Sequence, residues 1–455
     1  MTTTALWDDA LIAKYDRSGP RYTSYPTALE FQPGYDDGAL ATAVASSASR
    51  ALSLYVHIPF CHTLCYYCGC NKVIARHGDR ADRYLDALEH EIHHRGPQFA
   101  GYQVRQLHWG GGTPTFLSPA QLQRLMAMLK VAFQFAEAIE AGIEVDPREL
   151  SVERLALLRE LGFNRISIGV QDFDPAVQQA VNRVQEESHI VALVAESRRL
   201  GFVSINLDLI YGLPLQHEAQ FVTTLDKTIA LRPDRVSVFN YAHLPARFAA
   251  QRKIKEETLP VPAVKLALLR QTINRLTAAG YQYIGMDHFA LPDDELAQLQ
   301  RAGQLHRNFQ GYTTHGECDL LGLGVSAISQ IGHYYLQNER ELRPYEQAAK
   351  TTGSAIHKGC QLDCDDLLRR ELIKELICNL TVNKAALEQA HGIEFDRYFA
   401  MALAELAPMA ADGLVELTPT AICVTDRGRL LIRHLCMVFD RYLQAQRQQQ
   451  FSRII

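Results

Sequence analysis

The sequence predicts an α/β protein built on a parallel sheet, and three observations carry that prediction. Apolar, β-rich runs recur at LSLYVHI (52–58), VRQLHW (104–109), AGIEV (141–145), RISIGV (165–170), VSINLDLI (203–210) and RVSVFN (235–240), with YQYIGM (281–286) as a further candidate. Amphipathic helical stretches fall between them. Polar residues gather just past the ends of the runs. Strands that alternate with helices are joined by right-handed crossovers, which leaves a doubly wound sheet or a full or partial (β/α) barrel. In either architecture, chemistry sits where strands end and loops begin.

The first 50 residues contain SGPRYTSYPT, too rich in Pro, Ser and Tyr for a helix or a central strand, and are expected to form an extended arm. The first run leads into HIPFCHTLCYYCGC (57–70), and the second ends in GGGTP (110–114). SPAQLQRLMAMLKVAF follows as a helix, with Ser118 as N-cap and Pro119 in the first turn. The third run ends with Glu144 and Asp146. SVERLALLRELG is the next helix, with Ser151 as N-cap and Gly162 as its stop. The fourth run ends in Gln171 and Asp172, the fifth carries Asp208 with Tyr211 beyond, and the sixth ends in Asn240, Tyr241 and His243. Any one of these is explained by a turn or a helix cap. Their coincidence at six successive strand ends marks a site.

Past about residue 340 the pattern turns helical: CDDLLRRELIKELICNL, KAALEQAHG and FDRYFAMALAELAPMAADG. A hairpin-like LVELTPTAICVT and a last helix, DRGRLLIRHLCMVFDRYLQAQRQQQ, complete a winged-helix-like pattern. The expected domains are an arm over 1–50 contributing to the substrate site, a β/α body over 51–345 and a helical domain over 346–455.

Hydrophobic residues at 47% and charged residues at 21% describe an ordinary globular chain with a large core. The net charge of −5 offers no overall positive field for nucleic acid or anionic lipid, so neither is expected as a partner. No apolar run reaches the roughly 18 residues of a membrane span, and the start lacks a signal-peptide pattern, so a cytoplasmic protein is expected. In that reducing compartment, clustered cysteines serve metal or redox chemistry rather than disulfides. Cys318, Cys360, Cys364, Cys378, Cys423 and Cys436 are scattered and read as small buried apolar residues. Cys360 and Cys364 lack a third ligand for a second metal site.

Thiolates favour zinc or iron–sulfur clusters. A structural zinc site takes two short ligand pairs separated by a longer stretch. Here all four thiols fall between 61 and 70, with no second C-x-x-C downstream. Cys61, Cys65 and Cys68 follow C-x-x-x-C-x-x-C, a spacing able to wrap three corners of a cubane and leave one iron open.

With that spacing after the first strand, the glycine loop after the second and the repeated β/α units, the sequence resembles the radical S-adenosylmethionine enzymes. The resemblance implies a partial (β/α)6-type barrel and a 4Fe–4S cluster on Cys61, Cys65 and Cys68. The open iron would chelate the methionine part of the cofactor, whose reductive cleavage releases a 5′-deoxyadenosyl radical. Such chemistry belongs to the cofactor, while the protein supplies grip, orientation and exclusion of water.

More narrowly, PRYTSYPT (20–27), YVHIPFC and CYYCGCN (55–71), LHWGGGTPT (107–115), IEVDPRE, GVQDF, VNR, DLIYGLP, FNYAHLP, GMDHFA, HRNFQGYTT, GVSAIS and the terminal FSRII resemble the oxygen-independent coproporphyrinogen III oxidase family over nearly the whole chain. The resemblance implies conversion of two propionates of coproporphyrinogen III to vinyl groups, in porphyrin (haem) biosynthesis. It also implies two S-adenosylmethionine molecules, an electron donor protein such as a flavodoxin or ferredoxin, and a monomer. Tyr55, Gly111, Glu144 and Ile328 would contact the first cofactor; Tyr67, Gly112, Thr113, Gln171, Arg183, Asp208 and Ala242 would hold the second. Cys70 would be part of the motif without binding iron, with a role in the chemistry or in packing. Four substrate carboxylates call for arginine forks: Arg21, Arg183 and Arg307 lie in matching motifs, with Arg21 and Arg183 preferred.

The wider superfamily often ends its second strand in Gly-Gly-Glu, whereas here Thr113 follows Gly111 and Gly112. Thr keeps an acceptor and loses the charge. Three other readings compete. A haem-carrying paralogue typically has Phe at the position of Cys70 and no PRYTSYPT arm. A methylating enzyme that opens haem rings lacks parts of the arm and of the FQGYT segment. A zinc-bearing regulator leaves the glycine loop and the acidic strand ends unexplained.

Overall fold

The computed structural model describes residues 7–76 and 78–443, so the terminal FSRII lies outside the described residues. The chain divides into two compact units: Phe31–Leu268 with Glu317–Gln361, and Met1–Glu30 with Leu269–Gly316 and Leu362–Ile455.

The first unit is the α/β body. Strands β1 (Ala51–Ile58), β2 (Gln103–Gly111), β3 (Gln134–Val145), β4 (Arg165–Gln171), β5 (Ser204–Tyr211) and β6 (Arg235–Asn240) lie side by side in sequence order, each parallel to the next. A doubly wound sheet would reverse its order at a switch point. Sequential order instead fits six successive right-handed β/α units, the partial-barrel alternative. β7 (Asp319–Leu323) joins the other side of β1, also parallel, and β8 (Ile328–Ile331), β9 (Tyr334–Asn338) and β10 (Ile356–Gln361) continue antiparallel from it. β1 is therefore an interior strand. Leu52, Leu54, Val56 and Ile58 bury one of its faces completely, leaving Ser53, Tyr55 and His57 on the other.

Helix α1 (Asp79–Arg95) packs Ala81, Tyr84, Leu85, Leu88 and Ile92, one stripe at helical spacing. Its buried Glu91 accepts hydrogen bonds from Gly324 N (2.9 Å), Asn338 Nδ2 (2.6 Å) and Tyr345 Oη (2.6 Å). Tyr84 Oη donates to His57 O at 2.6 Å and accepts from Val325 N at 3.1 Å. One helix thus fastens the turn after β7 to the end of β1, where the cysteine loop starts. Helix α2 (Pro119–Ala132) begins in a capping box of Ser118 with Gln121. Helix α3 (Arg154–Leu161) starts later than the sequence suggests: Val152 and Glu153 are taken up in a turn, Glu153 is the cap, and Gly162 ends the helix at φ 107°.

The second unit is mostly helical. Leu368, Leu372, Leu376, Phe395, Phe399, Leu435 and Phe439 share a core with Tyr15, Tyr22 and Tyr25. A three-stranded antiparallel sheet orders Thr381–Asn383, Ala421–Val424 and Val415–Leu417. Within this unit, Tyr22 Oη donates to Asp440 (2.9 Å) and Arg433 Nε to Pro20 O (2.9 Å), so residues before 30 pack on the C-terminal segment. Gln282–Gly285 pairs antiparallel with His288–Ala290 instead of forming another parallel unit. Within the described residues the last predicted helix is broken into Asp426–Arg429 and Ile432–Met437, and its positions 444–450 lie outside them.

Of the six cysteines outside the loop, Cys378 and Cys436 are buried, Cys364 is exposed and the other three are intermediate. The reading of all six as buried therefore holds for two. Among the described residues no helix is long and apolar enough to cross a membrane.

Candidate active site

Beyond β1, Pro59 turns the chain into the cysteine loop, and three consecutive residues beyond β4 hold it. Val181 O accepts from Tyr66 N (3.0 Å), Asn182 Nδ2 donates to Leu64 O (2.8 Å), and Arg183 Nη1 lies 3.4 Å from Cys65 Sγ. Asn182 takes a left-handed φ of 56°, a conformation that Asn tolerates better than most residues. The VNR motif thus contributes a clamp of three, whereas sequence reasoning assigned only Arg183.

Donors surround the thiols. Arg148 Nη2 is 3.2 Å from Cys65 Sγ, and Thr113 Oγ1 is 3.5 Å from Cys61 Sγ. Asp146 joins both guanidiniums, at 2.6 Å to Arg148 Nη2 and 2.8 Å to Arg183 Nη1. Burial opposes the charge on Asp146, but the arginines outweigh it and hold the carboxyl below the usual range. The Cys68 thiol is drawn down to about 6, first by a hydrogen bond from Cys70 and then by Lys72, against burial. Cys70 is pushed up in turn, first by its hydrogen bond to Cys68. Burial pushes Cys61 up to about 12, so bound iron would have to complete its deprotonation.

Gly111 and Gly112 are present because the chain crowds there. A Cβ on Gly111, at φ 116°, would sit 2.7 Å from the His57 ring, and one on Gly112 would sit 2.7 Å from the backbone of Pro59 and Phe60. Gly111 N donates to Glu144 Oε2 (3.3 Å) and Gly112 N to Ile58 O (2.8 Å), which spends both amides within the protein. Glu144 also meets His108 Nε2 at 3.2 Å. His108 and the Gly111 amide keep Glu144 below the ordinary carboxylate range, although burial opposes its charge. Tyr55 stacks on His108, with ring centroids 6.1 Å apart. His57 Nε2 faces Asn71 O at 3.0 Å, which requires a proton on that nitrogen, so Nδ1 accepts from Tyr55 Oη at 3.0 Å.

Asp208 lies half-buried on β5, accepting from Ser167 Oγ and Asn206 Nδ2, each at 2.8 Å. Burial, reinforced by the charge of Glu144, raises its carboxyl to about 6. Tyr67 and Ala242 share one partner that sequence reasoning missed: Gln251 Nε2 donates to Tyr67 O at 3.0 Å and to Ala242 O at 3.2 Å. Nothing in the run of residues around Gln251 signals this role. Ile328 opens β8, paired with Gln337. Gln171 Oε1, Arg183 Nε and Asn240 Oδ1 are buried without a protein partner. Such atoms are costly unless a ligand or water completes them. Three thiols in one loop, two guanidiniums aimed at Cys65, and this unspent polar capacity at the strand ends fit an iron–sulfur cluster with a polar ligand beside it.

Arg21 belongs to the second unit, where it is ion-paired with Asp287 at 2.8 Å. Arg307, in the same unit, lies over the Tyr312 ring at 4.8 Å, and its Nε and Nη1 are buried without a partner. Of the three arginines considered for substrate carboxylates, Arg307 has the most buried guanidinium nitrogens without a protein partner.

A family model of the radical SAM superfamily matches residues 55–228, and one of the HemN C-terminal domain matches 362–431. The chain is 58% identical to the oxygen-independent coproporphyrinogen III oxidase of Salmonella typhimurium, covering 99% of this chain and 98% of that one. It is 52% identical to the enzyme of that name from Pseudomonas aeruginosa, over the full length of both. A solved structure described as coproporphyrinogen III oxidase (HemN) from Escherichia coli, a radical SAM enzyme, superimposes with a TM-score of 0.94 at 56% identity, covering 96% of this chain and 100% of that one. Relatives this similar from end to end share more than a barrel, and the chain belongs to the oxygen-independent coproporphyrinogen III oxidase family of the radical SAM superfamily.

Proposed function

We propose that the protein converts two propionate side chains of coproporphyrinogen III to vinyl groups, giving protoporphyrinogen IX. The observation that carries this reading is the three-thiol loop, lined with donors, in a chain alike from end to end to enzymes of that name. When bound, a 4Fe–4S cluster and S-adenosylmethionine would supply a one-electron cleavage yielding a 5′-deoxyadenosyl radical able to take one hydrogen atom from the β-carbon of each propionate; carbon dioxide would then leave, with one electron passing to an acceptor.

The chain's own residues hold and orient. Cys61, Cys65 and Cys68 ligate iron, and the fourth iron is left for the cofactor. Cys70 stays off the iron and donates to Cys68, which favours the Cys68 thiolate. Glu144, fixed by His108, carries a charge suited to an ammonium group, with Tyr55, Gly111 and Ile328 around the same cofactor. Tyr67, Gly112, Thr113, Gln171, Arg183, Asp208 and Ala242 hold a second S-adenosylmethionine; the unspent Gln171 Oε1 and Arg183 Nε support that assignment. Arg307 offers two buried N–H groups to a substrate carboxylate. Arg21 exchanges Asp287 for another carboxylate. The arm over 1–50 contributes to the substrate site, and a small electron-transfer protein such as a flavodoxin or ferredoxin reduces the cluster of a monomeric, cytoplasmic enzyme.

The test is an anaerobic assay of reconstituted protein with a reductant, S-adenosylmethionine and coproporphyrinogen III. The reading requires 5′-deoxyadenosine and protoporphyrinogen IX to form together. Cofactor cleavage without a decarboxylated product would overturn it.

A further inference from the structure

We infer that Arg148 is a positioning residue that sets the reduction potential of the cluster through a charged hydrogen bond to the Cys65 sulfur, with Asp146 as its anchor. The inference rests on the reading of Cys65 as a cluster ligand and goes beyond it.

The local chain builds the contact. Pro147 stiffens the turn after β3, and Arg148 N donates to Asp146 Oδ1 at 3.0 Å, closing an Asx-type turn. The Arg148 side chain then folds back. Nε donates to Asp146 Oδ1 (3.0 Å), Nη2 donates to Asp146 Oδ2 (2.6 Å) and lies 3.2 Å from Cys65 Sγ, and Nη1 reaches Asn182 O at 3.3 Å. The planar fork is thus fixed on three sides, and one N–H is directed at sulfur. The Arg148 side chain is only 15% exposed, so water does little to screen it.

Hydrogen bonds to cluster sulfurs are among the levers that tune iron–sulfur potentials. The reduced cluster carries one more negative charge than the oxidised one, so a cationic donor stabilises the reduced form more. Arg183 makes a second, longer approach to the same sulfur at 3.4 Å, but its Nη2 is bound to Gly169 O. Arg148 is the shorter contact and lies in no assigned binding role. Asp146 offsets the added positive charge, which leaves the directed N–H as the main effect.

The test is an EPR-monitored redox titration of the reconstituted holoenzyme, wild type against Arg148→Met, at matched iron and sulfide content. The expected result is a lower midpoint: at the wild-type midpoint, the reduced-to-oxidised ratio falls about tenfold, about 59 mV for a one-electron couple. An unchanged midpoint at full cluster content overturns the inference. If Arg148→Met fails to assemble its cluster, Arg148→Gln decides. Its shorter, neutral amide cannot give sulfur a charged N–H, so a lowered midpoint supports the assignment and a wild-type midpoint overturns it. Failure of the wild type itself to take up a cluster would remove the underlying reading, an outcome distinct from an unshifted potential.

Discussion

Asn182 donates its side-chain amide to the carbonyl of Leu64 at 2.8 Å, linking positions 118 residues apart and holding the cysteine loop from the segment that follows β4. Asn182→Gly removes the hydrogen bond and keeps the left-handed backbone easy, at a cost of about 1 kcal/mol. Asn182→Ala adds the left-handed penalty, roughly 1–2 kcal/mol more. Denaturation of the two variants should rank wild type above Gly above Ala, with cluster loss to a chelator accelerating in the same order. Equal stability of the two variants would deny the backbone part of this account.

The thiols should separate by reactivity. With Cys68 drawn down to about 6 and Cys61 pushed up to about 12, cluster-free protein treated briefly with iodoacetamide at pH 7 should be alkylated first at Cys68. Peptide mass spectrometry reads the order directly. Cys70→Ala removes the donor that lowers Cys68 and should slow this labelling; reconstituted Cys70→Ser should retain its four-iron cluster, whereas Cys68→Ser should lose it. Equal cluster loss in the two serine variants would place Cys70 among the ligands.

Asp208 binds its proton more tightly in the folded chain, at about 6, than at its ordinary 3.8. The folded state therefore holds more protons between those values, and the contribution of Asp208 to stability falls as pH rises through that window and is level above it. Asp208→Asn does not titrate. In ligand-free protein it should be more stable than wild type at pH 8, by on the order of 2–3 kcal/mol, with little advantage near pH 4. Its affinity for S-adenosylmethionine should nevertheless fall. A stability difference that does not change with pH would show that the burial of this charge has been misjudged.

Arg307→Ala removes a guanidinium with two unspent buried N–H groups. If those groups receive a substrate carboxylate, KM for coproporphyrinogen III should rise at least tenfold, the scale of one charge-assisted hydrogen bond. Cluster content and substrate-independent cofactor cleavage should stay unchanged. An unaltered KM would return Arg307 to a structural role over Tyr312.

The body of the fold was legible because parallel, doubly buried strands read as apolar runs: RVSVFN matches its strand residue for residue, LSLYVHI and RISIGV fall one residue short of theirs, VSINLDLI is offset by one, VRQLHW stops two residues before Gly111, and β3 starts earlier at Gln134. The strand order was not legible, since both alternatives share the same local pattern. YQYIGM was misleading as a further parallel unit because an antiparallel hairpin strand carries the same short apolar signal. The long final helix pattern gave no warning of its break at Leu430 and Leu431. At the site, residues on strand ends announced themselves by polarity in an apolar context. The supporting residues did not: Gln251, Asn182, Glu91 and Arg148 act through contacts far away in sequence, and a lone polar residue in a helix or turn carries no mark of its partner.

On the proposed reaction, each decarboxylation begins with hydrogen leaving the propionate β-carbon for the 5′-deoxyadenosyl radical. The most direct measurement uses coproporphyrinogen III deuterated at the β-carbons of the two reacting propionates, followed by mass spectrometry of the 5′-deoxyadenosine formed. Deuterium transferred into 5′-deoxyadenosine in step with vinyl formation is the predicted result. Unlabelled 5′-deoxyadenosine accompanying labelled, unconverted substrate would contradict it.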